Sequence, residues 1–386
     1  MASPTASFFR ASPAFSDIHP RFAMPTLRSL LTRLLGLSAL LSAANGCAQA
    51  PAKPTAKRMQ PYQTEKFILT AGPCAADGYT AMIQGGAFTG SDGSSFAVPG
   101  GHVLEGDWGA SGTTWSSGDD RHSAPERLVL TWFAYAEDKF YQGAFALPQE
   151  RIHALLKQGS WDIDKQKHVT YNELTVCVLP KGVVVVWLTG GNQVLVGRYQ
   201  AAEFTPTPAQ FEGYYGQANR ASFVKYRQAQ MPADVQAEIK AGPLSPRRWD
   251  DYLKTYPWRV EFAQPLALYR YVAYYTSAER TRNPLTREGM DAYRAIILQP
   301  GPKPLPTGLH FYGQAPHKAR YLVRVKAFDQ AELRAAAEQL LRAHPAAPLT
   351  LYFAIDKPYQ KATLALKNEW QTIPLPKAPV EVLSED

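Results

Sequence analysis

From residue 127 onward the chain alternates between two hydrophobic rhythms. RLVLTWFAY (127–135) is dense in β-branched and aromatic residues and predicts a strand, which Glu137 and Asp138 turn back into a second strand over 139–145. Pro148 then opens a helix in which Ile152, Leu155 and Leu156 share one face, and Gly159 ends it. Strands over 173–179 and 183–189 flank the turn Pro180-Lys181-Gly182, and 194–199 predicts one more. The same order returns near the C-terminus. A hairpin over 309–313 and 321–326 leads to Asp329, a helix cap with Glu332 at the capping-box position. Leu333, Ala336, Ala337, Leu340 and Leu341 then follow the spacing of a one-sided helix, His344 and Pro345 close it, and a hairpin over 349–356 and 363–366 follows. ββαββ therefore occurs twice, over 127–189 and 309–366, as a pattern of elements rather than of residues. The expected fold class is α+β, mainly antiparallel sheets with a few covering helices. Duplication and convergence on a common layout both account for the echo.

The remaining sequence fills in around these units. Residues 73–120 are rich in Gly, Ser and Thr and predict short strands with long loops. An aromatic-rich region over 205–308 reads as a link between an N-terminal unit, 63–204, and a C-terminal unit, 309–386. It holds predicted helices near 233–241 and 246–252 and a strand over 266–276. Tyr269, Tyr271 and Tyr275 share one face of that strand. The polar run ERTRNPLTRE (279–288) predicts an exposed loop.

The N-terminus follows a different grammar. Within MPTLRSLLTRLLGLSALLSAANGC (24–47), Arg28 and Arg33 precede a short apolar run over 34–41, and Ala43, Ala44 and Gly46 lead to Cys47. That is the order of an exported segment, too short and too Ser-rich for a stable span. Residues 1–46 are its expected extent, with Met24 read as the start in preference to Met1 and residues 1–23 as an upstream extension. Small residues before a cysteine resemble the lipobox of bacterial lipoproteins, although Asn45 departs from the usual Ala or Ser. The resemblance implies a diacylglycerol on the Cys47 thiol, cleavage before it and acylation of the new amine. Ala48, where Asp would retain a lipoprotein at the inner membrane, implies the periplasmic face of the outer membrane. Residues 47–62, small, Pro-rich and basic, read as a lipidated flexible tether.

Composition narrows the chemistry. Net charge is +8, but the Lys and Arg are scattered and give no row to neutralise phosphates, so no nucleic-acid partner is expected. No G-x-S-x-G elbow occurs; GSDGSSF (90–96) has Asp at the nucleophile position. The eight His include no i, i+4 pair, H-E-x-x-H is absent, and no P-loop exists. The reading is a protein without catalytic residues, metal or cofactor. Cys74 and Cys177 are permitted a bridge in an oxidising compartment, and a buried free thiol at Cys177 is equally ordinary. Trp132, Tyr135 and Tyr141 on the first hairpin, and Trp249 and Trp258 among Arg247, Arg248 and Arg259, are candidates for a binding surface. A packed sheet face accounts for them as well.

The run LVLTWFAYAEDKFYQGAFALPQERIHALL (128–156) resembles the hairpin and Pro-opened helix of a family of bacterial lipoproteins, domain of unknown function 2931. LPKGVVVVWLTG (179–190), RRWDDYLKTYPW (247–258) and FDQAELRAAAEQLL (328–341) are similar to it too, so the resemblance runs over about 64–375. It implies no activity and no functional residue. Members are often encoded beside type VI secretion effectors, lipases among them, which implies an immunity protein. The expected function is protein binding by a membrane-anchored lipoprotein; a structural or assembly role in the envelope is the alternative. Mass spectrometry of the membrane-extracted protein should find an amino terminus at Cys47 carrying acyl chains, and Cys47→Ser should remove them. An unmodified amino terminus on a cytosolic product would refute the anchor.

Overall fold

The computed structural model describes residues 59–112, 120–162, 165–207, 210, 220–285 and 291–385; the expected signal segment, Cys47 and the expected tether as far as residue 58 lie outside these. Residues 58–386 form one compact unit. The fold is α+β with mostly antiparallel sheets.

Its first half is carried by nine strands: β1 (Thr70–Ala75), β2 (Ala81–Gly90), β3 (Ser95–Ala97), β4 (Pro125–Ala134), β5 (Lys139–Ala146), β6 (Glu173–Leu179), β7 (Val183–Thr189), β8 (Gln193–Gln200) and β9 (Ala202–Phe204). Nine more carry the second half: β10 (Thr255–Phe262), β11 (Ala267–Tyr275), β12 (Arg280–Pro284), β13 (Pro306–Gln314), β14 (Arg320–Val325), β15 (Leu349–Ile355), β16 (Ala362–Lys367), β17 (Thr372–Pro374) and β18 (Val380–Ser384). Beyond a single turn at Pro61–Thr64, the α-helices among the described residues are α1 (Gln149–Gln158), α2 (Arg220–Gln230), α3 (Ala233–Ala241), α4 (Arg247–Tyr252), α5 (Asp291–Leu298) and α6 (Gln330–Ala343).

The pairing order of the first half is repeated strand for strand by the second. β1–β6–β7–β8 and β9–β5–β4–β2–β3 become β10–β15–β16–β17 and β18–β14–β13–β11–β12. Even the rare parallel contacts correspond, β1 beside β6 and β10 beside β15. In each half the helix between the two hairpins, α1 or α6, carries the chain from one sheet to the other. The ββαββ echo in the sequence is thus the middle of a nine-strand repeat. Its outer strands are recruited from segments that precede and follow the echo.

Each hydrophobic rhythm has its packing reason. VVVVWLT forms β7 and is buried along nearly its whole length. Val184, Val186 and Leu188 enter one core, while Val183, Val185 and Trp187 enter another with Val224, Val235 and Trp249 from α2–α4. A strand covered on both faces reads as a continuous apolar run. Its counterpart β16, ATLALK, buries only Leu364 and Leu366 fully and alternates accordingly. In α1, Ile152 and Leu156 are buried and Gly159 (φ 53°) ends the helix. In α6, Leu333, Ala336, Ala337 and Leu340 are buried, and the Asp329 carboxylate accepts from the Glu332 N–H at 2.8 Å, a cap worth about 1 kcal/mol. The reciprocal half of the expected capping box is not made, because the Glu332 carboxylate accepts instead from the Lys377 N–H at 3.2 Å.

Three expectations change. The supposed link, 205–308, divides: α2–α4 close over the first half, while 255–308 is built into the second half as β10–β12, the strand Gly301–Pro304 and the start of β13. ERTRNP is not a loop. It forms β12, whose outward Arg280 and Arg282 gave the polar pattern while Asn283 is buried. A bulge between Leu268 and Arg270 turns Tyr269 out of the face it would share with buried Tyr271 and Tyr275.

One buried cation has a structural use. Lys303, 8% exposed, lies 4.9 Å from the Trp258 ring and donates to the carbonyls of Gln299 and Gly301, just past the end of α5. Burial pushes its ammonium down to about 8. Between that value and roughly 10.4, where an unfolded lysine titrates, the unfolded chain holds the extra proton, so stability rises with pH. Relative to Lys303→Met, the native protein should gain about 2 kcal/mol between pH 7 and pH 9.5, read by urea unfolding. Parallel pH dependences would contradict this.

Candidate functional site

The two halves share one sheet through a single residue pair. β8 of the first half meets β12 of the second only at Gln193 and Arg280, and this joins nine strands in the order β1–β6–β7–β8–β12–β11–β13–β14–β18. One ladder pair is a weak joint, and side chains reinforce it. The Trp187 indole N–H donates to the Ser277 carbonyl and the Trp108 indole N–H to the Thr276 carbonyl, both at 2.8 Å. The Gln193 amide donates to the carbonyls of Gly109 and Ala278, each at 2.8 Å. The Glu279 carboxylate accepts from the Leu195 N–H at 3.1 Å and the Ser277 hydroxyl at 2.9 Å. Asn192 accepts from the Arg282 N–H at 2.7 Å and donates to the Asn283 side chain at 3.3 Å.

A cleft of about 670 Å³ opens over this joint. Its floor is one row of register partners crossing the seam: Glu173, Thr189, Gln193, Arg280 and Tyr274. Register partners present their side chains on the same face of a sheet, so these groups point the same way. One wall is the 107–111 loop with Trp108, set edge-on to Trp187 at 4.8 Å. Gly109 makes this loop fit: its φ is +76°, and a Cβ there would stand 2.2 Å from the Ala278 Cβ. Tyr252, the 276–279 turn, Thr307 and Gln330 complete the walls.

The cleft carries charge of both signs: Asp77, Asp107 and Glu173 lie on the first-half side, and Glu279 and Arg280 on the second-half side, where the Glu279 carboxylate is engaged by the Leu195 N–H and the Ser277 hydroxyl. Glu173 Oε1 accepts from the hydroxyls of Ser111 and Thr175, both at 2.7 Å, which holds the carboxylate in place. Arg280 donates to the Gly190 carbonyl at 3.1 Å, and its Nε has no acceptor. Among the described residues no histidine or lysine lines the cleft, so the Ser111–Glu173 pair has no described imidazole beside it to relay a proton. Among the described residues no group of three His, Cys, Asp or Glu is placed to hold a metal ion. The arrangement offers hydrogen bonds, charge and aromatic faces, the means of recognition.

The sequence pointed elsewhere. Trp132, Tyr135, Tyr141, Trp249 and Trp258 are each 3% exposed or less. They are core residues rather than a binding surface: Trp132 and Tyr141 stack between the sheets of the first half, and Trp249 closes the far side over Tyr79. Cys74 and Cys177 are brought into register on parallel strands β1 and β6 as free, buried thiols. Burial and then the neighbouring Cys74 push the Cys177 thiol up, and the Gly109 backbone, behind the cleft wall, hydrogen-bonds its sulfur. The cleft residues were missed because they come from segments far apart in sequence.

The model of the family described as protein of unknown function (DUF2931) matches residues 52–245. The chain belongs to this family. No curated protein and no solved structure matches it. The match takes in the first half and α2–α3, and ends before every strand of the second half; the stretches 247–258 and 328–341 lie beyond it.

Gln193→Leu keeps the side-chain volume and strips both seam carbonyls of their donor. It should lower the unfolding free energy by about 2 kcal/mol in urea titration, the cost of leaving buried acceptors unpaired. A change under about 0.5 kcal/mol would mean that the seam is held elsewhere.

Proposed function

We propose that this chain is a lipid-anchored protein of the periplasmic face of the outer membrane that works by binding another protein, with the seam cleft as the place of contact. The observation that carries this reading is the cleft floor. Five side chains from five neighbouring strands stand in one row, fixed by the sheet beneath them, under a wall braced by hydrogen bonds. A preformed groove needs little ordering on binding, so its contacts go into affinity. Tyr274, 39% exposed, with Trp108 and Tyr252 beside it, supplies the aromatic anchors that interfaces use, and Arg280 supplies the guanidinium.

The partner we propose is a secreted antibacterial effector that reaches the periplasm, a lipase being the concrete case. The chain would then act as its immunity protein, held by the Cys47 lipid at the membrane the effector attacks. The support is the family and the gene neighbourhoods its resemblance implies. The test is to express the effector encoded beside this gene in the periplasm with and without the chain. Co-expression should restore growth and give a complex on pull-down, and Tyr274→Ala should weaken that complex tenfold or more at an unchanged melting temperature. Undiminished killing together with no complex would remove the proposal. An envelope defect on deletion alone, with no effector present, would favour a structural role instead.

A further inference from the structure

The floor row does not stop at the cleft. On the second-half side it runs out onto a sheet face that nothing among the described residues covers. The contrast lies within one sheet. On β6–β8 this face carries Cys177, Val185, Trp187 and Leu195, and α2–α4 and Trp108 pack on it. Beyond the seam the same face carries Arg280 and Arg282 on β12, Tyr274 and Arg270 on β11, His310 and Tyr312 on β13, and Arg324 on β14. Its apolar members are thinly shielded: Val272 is covered by the flanking long side chains, while Tyr274 and Leu383 remain 39% and 40% exposed.

Charge on this face is unevenly compensated. At the far edge Arg324 and Lys326 share Glu381, at 2.7 and 2.9 Å. Near the cleft no carboxylate answers Arg270 or Arg280. Arg270 lies 4.5 Å from the Tyr312 ring, and neither guanidinium forms an ion pair with a described residue. Each Nε is buried and has no acceptor among the described residues. Burial first, then the cations of Arg324 and Arg270, hold the His310 imidazole below its usual range against the opposing Glu381 carboxylate. Two guanidiniums without an ion-pair partner among the described residues, flanked by tyrosines, match an acidic polypeptide, whose carboxylates Arg can grip bidentately.

We propose that the band Arg270, Arg280, Tyr274, Tyr312 and His310 docks an acidic segment of the partner protein, continuous with the part that enters the cleft. This rests on the protein-binding reading above and specifies the chemistry of the partner. The face is a few strands wide and ends in a concave cleft, which suits a protruding chain segment better than a flat lipid surface.

Two experiments with the full-length chain in detergent test it. In the first, fluorescence anisotropy follows a labelled twelve-residue peptide of alternating Glu and Tyr, its Lys and Tyr counterpart, and vesicles containing phosphatidylglycerol. The acidic peptide should bind, weaken steeply with salt, and weaken at least tenfold in R270E/R280E and severalfold in R270Q/R280Q; the basic peptide should not bind. Melting curves of both variants check that the fold survives. In the second, the effector pull-down is repeated with R270E/R280E. Acidic-peptide binding that the variants leave unchanged, or capture of vesicles without the peptide, overturns the proposal. A complex that R270E/R280E leaves intact overturns it too, while leaving the protein-binding reading standing. Failure of the native chain to form any complex counts against that broader reading, and the peptide arm still decides the chemistry.

Discussion

A single ladder pair, Gln193 with Arg280, makes one sheet out of two halves, and the cleft opens over it. Antiparallel strands normally share several paired residues, each adding backbone hydrogen bonds. Here the backbone supplies so little that the joint must be made by side chains, and these are hydrogen-bonding ones: two indoles, three carboxamides and a carboxylate. Such groups are directional. Buried at a joint, they fix one arrangement and penalise every other, because a slipped seam would leave donors and acceptors unpaired away from water. A cleft built over such a joint keeps its shape, since widening it would break the bonds that hold the sheet.

The repeat explains why the cleft is where it is. Two units of the same topology, joined edge to edge, fuse sheets that are not equivalent. β8 borders the second-hairpin sheet of the first half, and β12 borders the first-hairpin sheet of the second. The fused sheet therefore has one face covered along its length by partner sheets. Its other face is covered by α2–α4 on the first half alone. The cleft is the step at which that cover ends. Trp108 and Tyr252 form its riser, and the row from Glu173 to Tyr274 its tread. A concave polar site thus follows from asymmetry of cover in an otherwise symmetric chain.

The alternation and helical spacing within each ββαββ segment could be read from local sequence, because those elements pair with their neighbours and their turns carry recognisable residues such as Gly159 and Asp329. The flanking strands could not. β1 reaches β6 across about a hundred residues, and β10 reaches β15 past β11–β14, so no local signal announces them. β12 was hidden for a different reason. ERTRNP alternates, but its inward positions are Thr281 and Asn283, polar residues facing inward beside the seam, so the period-two signal was polar on both faces. The aromatics that looked most like anchors, Trp132 and Trp258 among them, are drawn inward because large apolar surfaces dominate core energetics. The aromatic that does stand out of the sheet, Tyr274, lies in a run of tyrosines where spacing alone cannot pick it out.

The reach of the family match bears on how the cleft acquired its character. Glu173, Thr189 and Gln193 belong to the matched segment, whereas Arg280, Tyr274, Thr307 and Gln330 follow its end at residue 245. The Trp108 wall and the Glu173–Gln193 part of the floor are therefore family ground, whereas Arg280, Tyr274 and the remaining walls come from a stretch the family model does not describe. A surface divided in this way can hold a general mode of contact on one side while the other sets which partner fits. Arg270 and Arg280 sit on that second side, on strands whose inward residues are committed to the core and whose outward ones are not. Outward positions on a covered core strand can change charge with little effect on stability. This makes the open face the part of the molecule best placed to follow a changing partner, while the seam beneath it stays fixed.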